Sequence, residues 1–279
     1  MSEPAPEVRA RITPLALVVW LGATVLGTIC GIGGGIFGVP LLHYGCRMPM
    51  KIAVGTSSVL VLVMTLTATG VETFHGRSSL DWVVVGLLLF GSIPGAHFGY
   101  AFSRRADGKL LKKFFVFLLV IAAVRTATLS SAAVVQAHED NMPMTLAQSL
   151  IVTVIGFGGG FLAPLLGVGG GILVIPALFL SLKQMGYLDA RACSMAMSVV
   201  NSGQSVYLYV RDRGIDFKTA KPFAMVAVLG AIAGALLVHL DGWADVARMC
   251  MTILLLVVAA RFAWDVWSAS RAARLPAAD

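Results

Sequence analysis

Charge is what this chain has least of. Lys, Arg, Asp and Glu make up 13% of its 279 residues, against about 25% in soluble domains. Such a chain cannot cover a soluble surface, so a soluble fold is excluded. Cysteine is also scarce. Cys30, Cys46, Cys193 and Cys250 form no C-x-x-C pair and no cluster with histidine, so neither a disulfide framework nor a metal site is supported. They read as small apolar packing residues. The apolar spans hold no H-E-x-x-H motif and no carboxylate near mid-membrane. An embedded enzyme would need such groups, so enzyme activity is not expected, and no cofactor is implied.

What the chain does have is apolar sequence. It is 58% hydrophobic, with repeated runs near the roughly 20 residues that cross a bilayer. Full spans are expected at 52–71, 80–102, 114–135, 192–210, 222–240 and 246–267. Two further apolar regions, 14–44 and 146–182, are too long for one straight crossing. The expected class is an all-α polytopic membrane protein. The net charge of +7 does not point to nucleic acid, because the basic residues sit in short loops, where they orient helices. Arg9 and Arg11 precede an apolar stretch as in a signal peptide, but no A-x-A-like site follows, so the segment is expected to be retained.

One pattern occurs twice, inside the two overlong apolar regions. Gly31-Ile32-Gly33-Gly34-Gly35-Ile36-Phe37-Gly38-Val39-Pro40 is matched by Gly167-Val168-Gly169-Gly170-Gly171-Ile172-Leu173-Val174-Ile175-Pro176. The spacing is 136 residues from Gly31 to Gly167 and again from Pro40 to Pro176. Each glycine costs a helix about 1 kcal/mol relative to alanine, so each triplet should break one. In lipid a broken backbone survives only inside protein or along a polar cavity. Paired breaks in two halves point to a transport site built from an internal repeat. Gly33-x-Gly35-x-x-Gly38 also fits the dinucleotide fingerprint, but it follows no strand and the second copy has Val174 at the last position, so a nucleotide is not expected.

The repeat extends to Gly91–Ala96 against Gly230–Ala235, and to Arg125 against Arg261, at offsets drifting up to 139. It divides the chain into a first repeat at 1–136, a linker at 137–145 and a second repeat at 146–279. Loop charges set their relative orientation. Arg104, Arg105, Lys109, Lys112 and Lys113 follow the third segment of the first half, whereas the matching loop at 241–248 holds two Asp and one Arg. The preceding loop reverses this, with Glu72, His75, Arg77 and Asp81 against Arg211, Arg213, Lys218 and Lys221. Cytoplasmic loops collect Lys and Arg, so matching loops should face opposite sides and the halves should be inverted. Each glycine region must then enter and leave on one side as a hairpin (14–44 and 146–182). Both termini and most cations fall in the cytoplasm, and Arg77, Lys183, Arg191 and Arg248 fall outside. Trp82 and Trp243 mark outer ends; Tyr207, Tyr209, Trp264 and Trp267 mark inner ends. The location is a cell inner membrane, with the lipid bilayer as one partner.

Unpaired N–H groups at Gly33, Gly34 and Gly35 and at Gly169, Gly170 and Gly171 would cradle an anion near the midplane. Neutral hydroxyls and amides at Thr56, Ser57, Ser58, Asn201, Ser202 and Gln204 could bind an oxyanion and still release it. Pro40 and Pro176, where the arms resume, are the gating candidates. His97 could carry a proton for coupled transport. Arg125 and Arg261 lie deep in spans and could hold charge. Gly91, Gly95 and Gly99 have the spacing of tight helix packing and are read so. The chain is thus expected to move a small anion, with a non-transporting membrane scaffold as the alternative.

The doubled G-x-G-G-G-x-x-x-x-P element, the Gly55-Thr56-Ser57 step and the length resemble the TauE/SafE family of membrane permeases, also called the toluenesulfonate uptake family. The likeness covers nearly the whole chain. It implies transport, without ATP, of sulfite or an organosulfur anion such as a sulfonate, sulfoacetate or thioacid. The sequence departs from the family at Ser194-Met195-Ala196, where Gly-Thr-Ser would be expected, and Asn201–Ser205 could substitute.

Overall fold

The computed structural model describes residues 13–74, 80–105, 144–182, 185–212 and 214–240, with 249, 250, 253 and 256. The expected spans 114–135 and most of 246–267, with Arg125, Arg261, Trp243, Trp264 and Trp267, lie outside these residues. The described chain is all-helical.

Helix α1 (Pro14–Ile29) starts where Thr13 accepts from the Ala16 N–H and proline fills the first turn, where its missing donor costs nothing. It stops at Cys30, and Gly31, Gly33 and Gly34 take φ of 74°, 79° and 66°. L side chains pay about 1–2 kcal/mol per residue to adopt this left-handed backbone. Helix α2 (Gly35–Pro40) resumes at once and runs into a π-helical turn at Leu41–Gly45. The chain has doubled back, because a β-carbon on Gly38 would touch the Trp20 ring at 3.2 Å. Helices α3 (Met50–Phe74) and α4 (Trp82–Arg105) follow, α4 capped by the Asp81 carboxylate on the Val83 and Val84 N–H groups.

The second half repeats this order. A Thr145–Gln148 capping box opens α5 (Leu146–Leu166), and Gly167, Gly169 and Gly170 take φ of 64°, 75° and 90°. Helix α6 (Gly171–Ser181) folds back until Val174 packs on Gly159. Helices α7 (Tyr187–Arg211) and α8 (Phe217–Val238) complete the set. The arms therefore resume at Gly35 and Gly171, five residues before Pro40 and Pro176. Pro176 is buried within α6, whereas Pro40 ends α2 on the exposed side.

Among the described residues, four helices are long and apolar enough to cross a membrane: α3, α4, α5 and α8. The 25 residues of α7 are as long as α3 but more polar, and most of the polar side chains along it, Arg191, Ser194, Ser198, Asn201, Ser202 and Ser205, are buried. Burial against protein, not lipid, makes that composition tolerable.

Small residues set how the helices meet. Gly91, Gly95 and Gly99 on α4 lie directly against the α5 backbone at Thr153, Phe157 and Phe161, and Gly156 and Gly160 lie against Leu88 and Ser92. The order rises together on both helices, so α4 and α5 run parallel in tight small-residue packing. Gly230 and Gly234 bring α8 parallel to α1 at Thr24 and Thr28 in the same way. Helices α3 and α7 run antiparallel. Gly55 near the start of α3 abuts Tyr209 near the end of α7, and Glu72 near the end of α3 meets Arg191 near the start of α7. Tyr209, expected at an interfacial belt, is instead buried with its hydroxyl on the Pro164 carbonyl.

Candidate functional site

The two glycine turns meet each other, backbone to backbone. A β-carbon on Gly35 would strike the Gly167 carbonyl oxygen and lie 2.5 Å from the Val168 Cα. One on Gly171 would lie 2.8 Å from the Gly31 carbonyl oxygen. Gly33 and Gly169 both face Val61, at 3.1 and 3.0 Å, near the centre of α3. All six glycines expected at the site are buried there. Gly31 and Ile32 donate backward to α1, and Phe37 and Gly38 donate to Gly34. Among the described residues, no backbone carbonyl accepts from the N–H groups of Gly33, Gly34 or Gly35.

The hydroxyls of the first cluster are engaged elsewhere. Thr56 accepts from the Asp216 N–H at 3.0 Å and so holds the start of α8. Ser57 donates to the Gly167 carbonyl at 3.1 Å, tying α3 to the second turn, and Ser58 donates to Val54 within its own helix. The second cluster is more open. Asn201 donates to the Gly169 carbonyl at 3.3 Å, but its Oδ1 has no partner among the described residues. Ser202 Oγ and Gln204 Oε1, both shielded from solvent, also have none.

Three contributors were missed in the sequence. Ser198 donates to the Gly169 carbonyl at 3.0 Å. Ser194 lies 3.1 Å from the β-position of Gly171, and its hydroxyl has no partner. Thr65 packs on Gly33 as Asn201 packs on Gly169, each 32 residues after its glycine. The 136-residue offset therefore continues into α3 and α7, pairing Ser58 with Ser194 and Thr65 with Asn201. An alignment drifting to 139 hides this pairing. A second signal lay in periodicity. Arg191, Ser194, Ser198, Asn201 and Ser205 recur at intervals of three and four, which is one helix face. All five are buried.

That polar stripe ends in charge. Arg191 and Glu72, both expected in outer loops, are each 1% exposed. Arg191 Nη1 donates to Glu72 Oε1, and Arg191 Nε donates to the Thr28 carbonyl at 3.1 Å, at the end of α1. Glu72 Oε2 lies 2.8 Å from His239 Nε2. The helices outrun the apolar windows: α7 begins at Tyr187, ahead of the expected 192, and α3 ends at Phe74, beyond the expected 71. A cation near a helix C-terminus and a paired carboxylate offset the cost of burial.

His97 is exposed on α4, its ring bonded to the Ile93 carbonyl at 3.1 Å. It does not join the glycine turns. No group of three or more metal-ligating side chains occurs among the described residues.

Comparison with known proteins gives the same picture at the level of the whole chain. The family described as Sulfite exporter TauE/SafE matches residues 2–126 and 152–278, in two blocks of similar length. A probable membrane transporter protein of Xylella fastidiosa is 27% identical over 271 residues, covering 92% of this chain and 98% of its own. Another, of Methanocaldococcus jannaschii, is 26% identical over 236 residues, covering 79% and 82%. No solved structure matches the chain.

Proposed function

Because the chain belongs to the sulfite exporter TauE/SafE family, we propose that it is a secondary transporter moving a small sulfur-containing anion through a site between its two glycine turns. Membership makes it a multi-pass membrane transporter rather than an enzyme. The observation that carries the site is the buried contact of the two turns beside α7, whose polar stripe holds unpartnered hydroxyl and amide oxygens. Buried polar atoms left unpaired cost about 1–3 kcal/mol each. A transporter recovers that cost when its substrate or water arrives. The N–H groups of Gly33–Gly35 and Gly169–Gly171, with Asn201, Ser202 and Gln204, would face the anion. Thr56, Ser57 and Ser58 would hold the turns and α8 in place. Rocking of the two hairpins, with Pro40 and Pro176 in their second arms, would open the site to either side.

The test is ligand-induced stabilisation of purified protein. Sulfite, sulfoacetate, ethanesulfonate, a thioacid, acetate and phosphate form the panel. A ligand at 100 times its Kd adds about 2.7 kcal/mol to the native state. A raised melting midpoint confined to the sulfur compounds is expected. No shift with any anion would remove the site and move the reading to a non-transporting scaffold.

We also propose that the halves, 1–136 and 146–279, are inverted about the linker 137–145. The antiparallel run of the equivalent helices α3 and α7 supports it, as does the reciprocity of the turn contacts, Gly35 with Gly167 and Gly171 with Gly31. Self-complementary contacts of this kind accompany two-fold relations. In a chain lacking its native cysteines, single cysteines at the exposed positions Lys51 and Lys218 should react only from the cytoplasm. Those at Trp82 and Leu146 should react only from outside. Reaction of Trp82 and Lys218 from one side would refute the inversion.

A further inference from the structure

We propose that Arg191 is the charged anchor for the transported anion, and that the Glu72–His239 pair takes up one proton for each anion bound. The inference rests on the anion-transport reading above and names the coupling ion for that same site.

Arg191 is placed for this. It stands at one end of the α7 polar stripe, three residues from Ser194, so both side chains share a face. Its stem crosses the turn itself: a β-carbon on Gly31 would lie 2.5 Å from Arg191 Cγ. Two of its nitrogens are occupied, by Glu72 and the Thr28 carbonyl. The third, Nη2, is buried and has no partner among the described residues. A guanidinium keeps all its donors at any physiological pH and matches planar or tetrahedral oxyanions. A buried cation with one nitrogen unspent among the described residues, beside a broken helix, is suited to receive negative charge.

Architecture alone does not explain the network. The positions 136 residues from Arg191 and Glu72 are Gly55 and Leu208, and at the 139-residue offset of Gly91 and Gly230 the counterpart of His239 is Tyr100. The repeat therefore closes its other end without these charges.

Charge balance supplies the proton. The Glu72 carboxylate and the Arg191 guanidinium cancel each other's charge. An anion on Nη2 leaves the buried group one negative charge in excess, which a medium of low dielectric disfavours. One proton from solvent, added to His239 or to the Glu72 carboxyl, restores the balance; no other bond forms or breaks. Among the described residues, the other titratable groups around the network include Tyr187, whose hydroxyl meets the Cys30 carbonyl, with Cys30 and Cys250 beside it, and Asp81 and Asp189 at neighbouring helix starts. By reciprocity, protonation must strengthen anion binding as much as the anion strengthens protonation.

The experiment is calorimetric titration of the full-length purified protein with ethanesulfonate, which keeps a single charge across the pH range used, in two buffers of different ionisation heat. Wild-type protein should take up close to one proton per anion, and affinity should fall about tenfold per pH unit on the alkaline side. Glu72→Gln should still bind but take up almost no proton, with affinity flat in pH. Arg191→Gln should lose about 10- to 100-fold in affinity, the range of one charge-assisted hydrogen bond. Wild-type binding without buffer dependence would overturn the proposal, and that arm needs no variant to fold. Absence of binding to both ethanesulfonate and sulfite would instead sink the anion-transport reading beneath it.

Discussion

Gly170→Leu should abolish uptake of radiolabelled sulfite by proteoliposomes while the protein still reaches the membrane. Gly170 holds φ of 90°, and a β-carbon there would lie 2.8 Å from the backbone carbon of Gly159. The left-handed conformation costs about 1–2 kcal/mol in an L residue, and overpacking costs about 1–3 kcal/mol more. Stabilities of 5–15 kcal/mol are typical, so the fold should survive while the second turn is forced away from Gly159 on α5. Gly34→Leu should be milder. Its φ of 66° is also left-handed, but the atom in its way is the Met64 sulfur at 2.7 Å, the far end of a flexible side chain. Gly86→Leu on α4, where a β-carbon meets nothing within 4 Å, is the control and should transport within about twofold of wild type. Near-normal uptake by Gly170→Leu would remove the turn contact from the mechanism. Equal loss in all three would show a general intolerance of bulk instead.

Glu72→Ala should destabilise the protein by about 3–5 kcal/mol, the usual cost of stranding one partner of a buried ion pair. Arg191 would keep its charge with, among the described residues, the Thr28 carbonyl as its remaining acceptor. Replacing both partners, as Glu72→Met with Arg191→Met, should regain most of that stability, because an apolar pair of similar volume costs no desolvation. The double variant should nonetheless fail to transport. Melting midpoints in one detergent, read beside uptake, separate these effects. A Glu72→Ala loss under about 1 kcal/mol would mean that Arg191 reaches water by snorkelling, contradicting its 1% exposure. Glu72→Gln should lie between, since its amide oxygen can still accept from Arg191 Nη1.

Much of the scaffold was legible because its signals are local. Hydropathy marked the long helices, since each must shield its backbone from lipid over a fixed length. Three adjacent glycines marked each break, and the structure places the left-handed glycines within those two motifs. Gly91, Gly95 and Gly99 read as packing residues and are packed. The polar stripe of α7 was legible too, but by period rather than by composition. Counting hydrophobicity in a window sees Asn201 and Gln204 as interruptions, whereas stepping by three and four residues brings Ser194, Ser198 and Asn201 onto one face.

The site's hydroxyls show the limit from the other side. Thr56, Ser57 and Ser58 were sound candidates by residue type, yet each already spends a hydrogen bond on the protein. Whether a hydroxyl is free for a ligand depends on what lies across from it, and for Thr56 that is Asp216, which arrives from the other half of the chain.

By itself the sequence determined the membrane class, the two breaks and the repeat, because backbone conformation at glycine and the solvation of apolar runs are decided within a few residues. Only the tertiary structure decided that Glu72 and Arg191 are buried. Each looks like a loop residue alone, since an isolated charge cannot stay in the bilayer. Folding brings them together across 119 residues, with His239 closing the other carboxylate oxygen. A buried charge is tolerable only beside its partner, and no local reading of either residue supplies that partner.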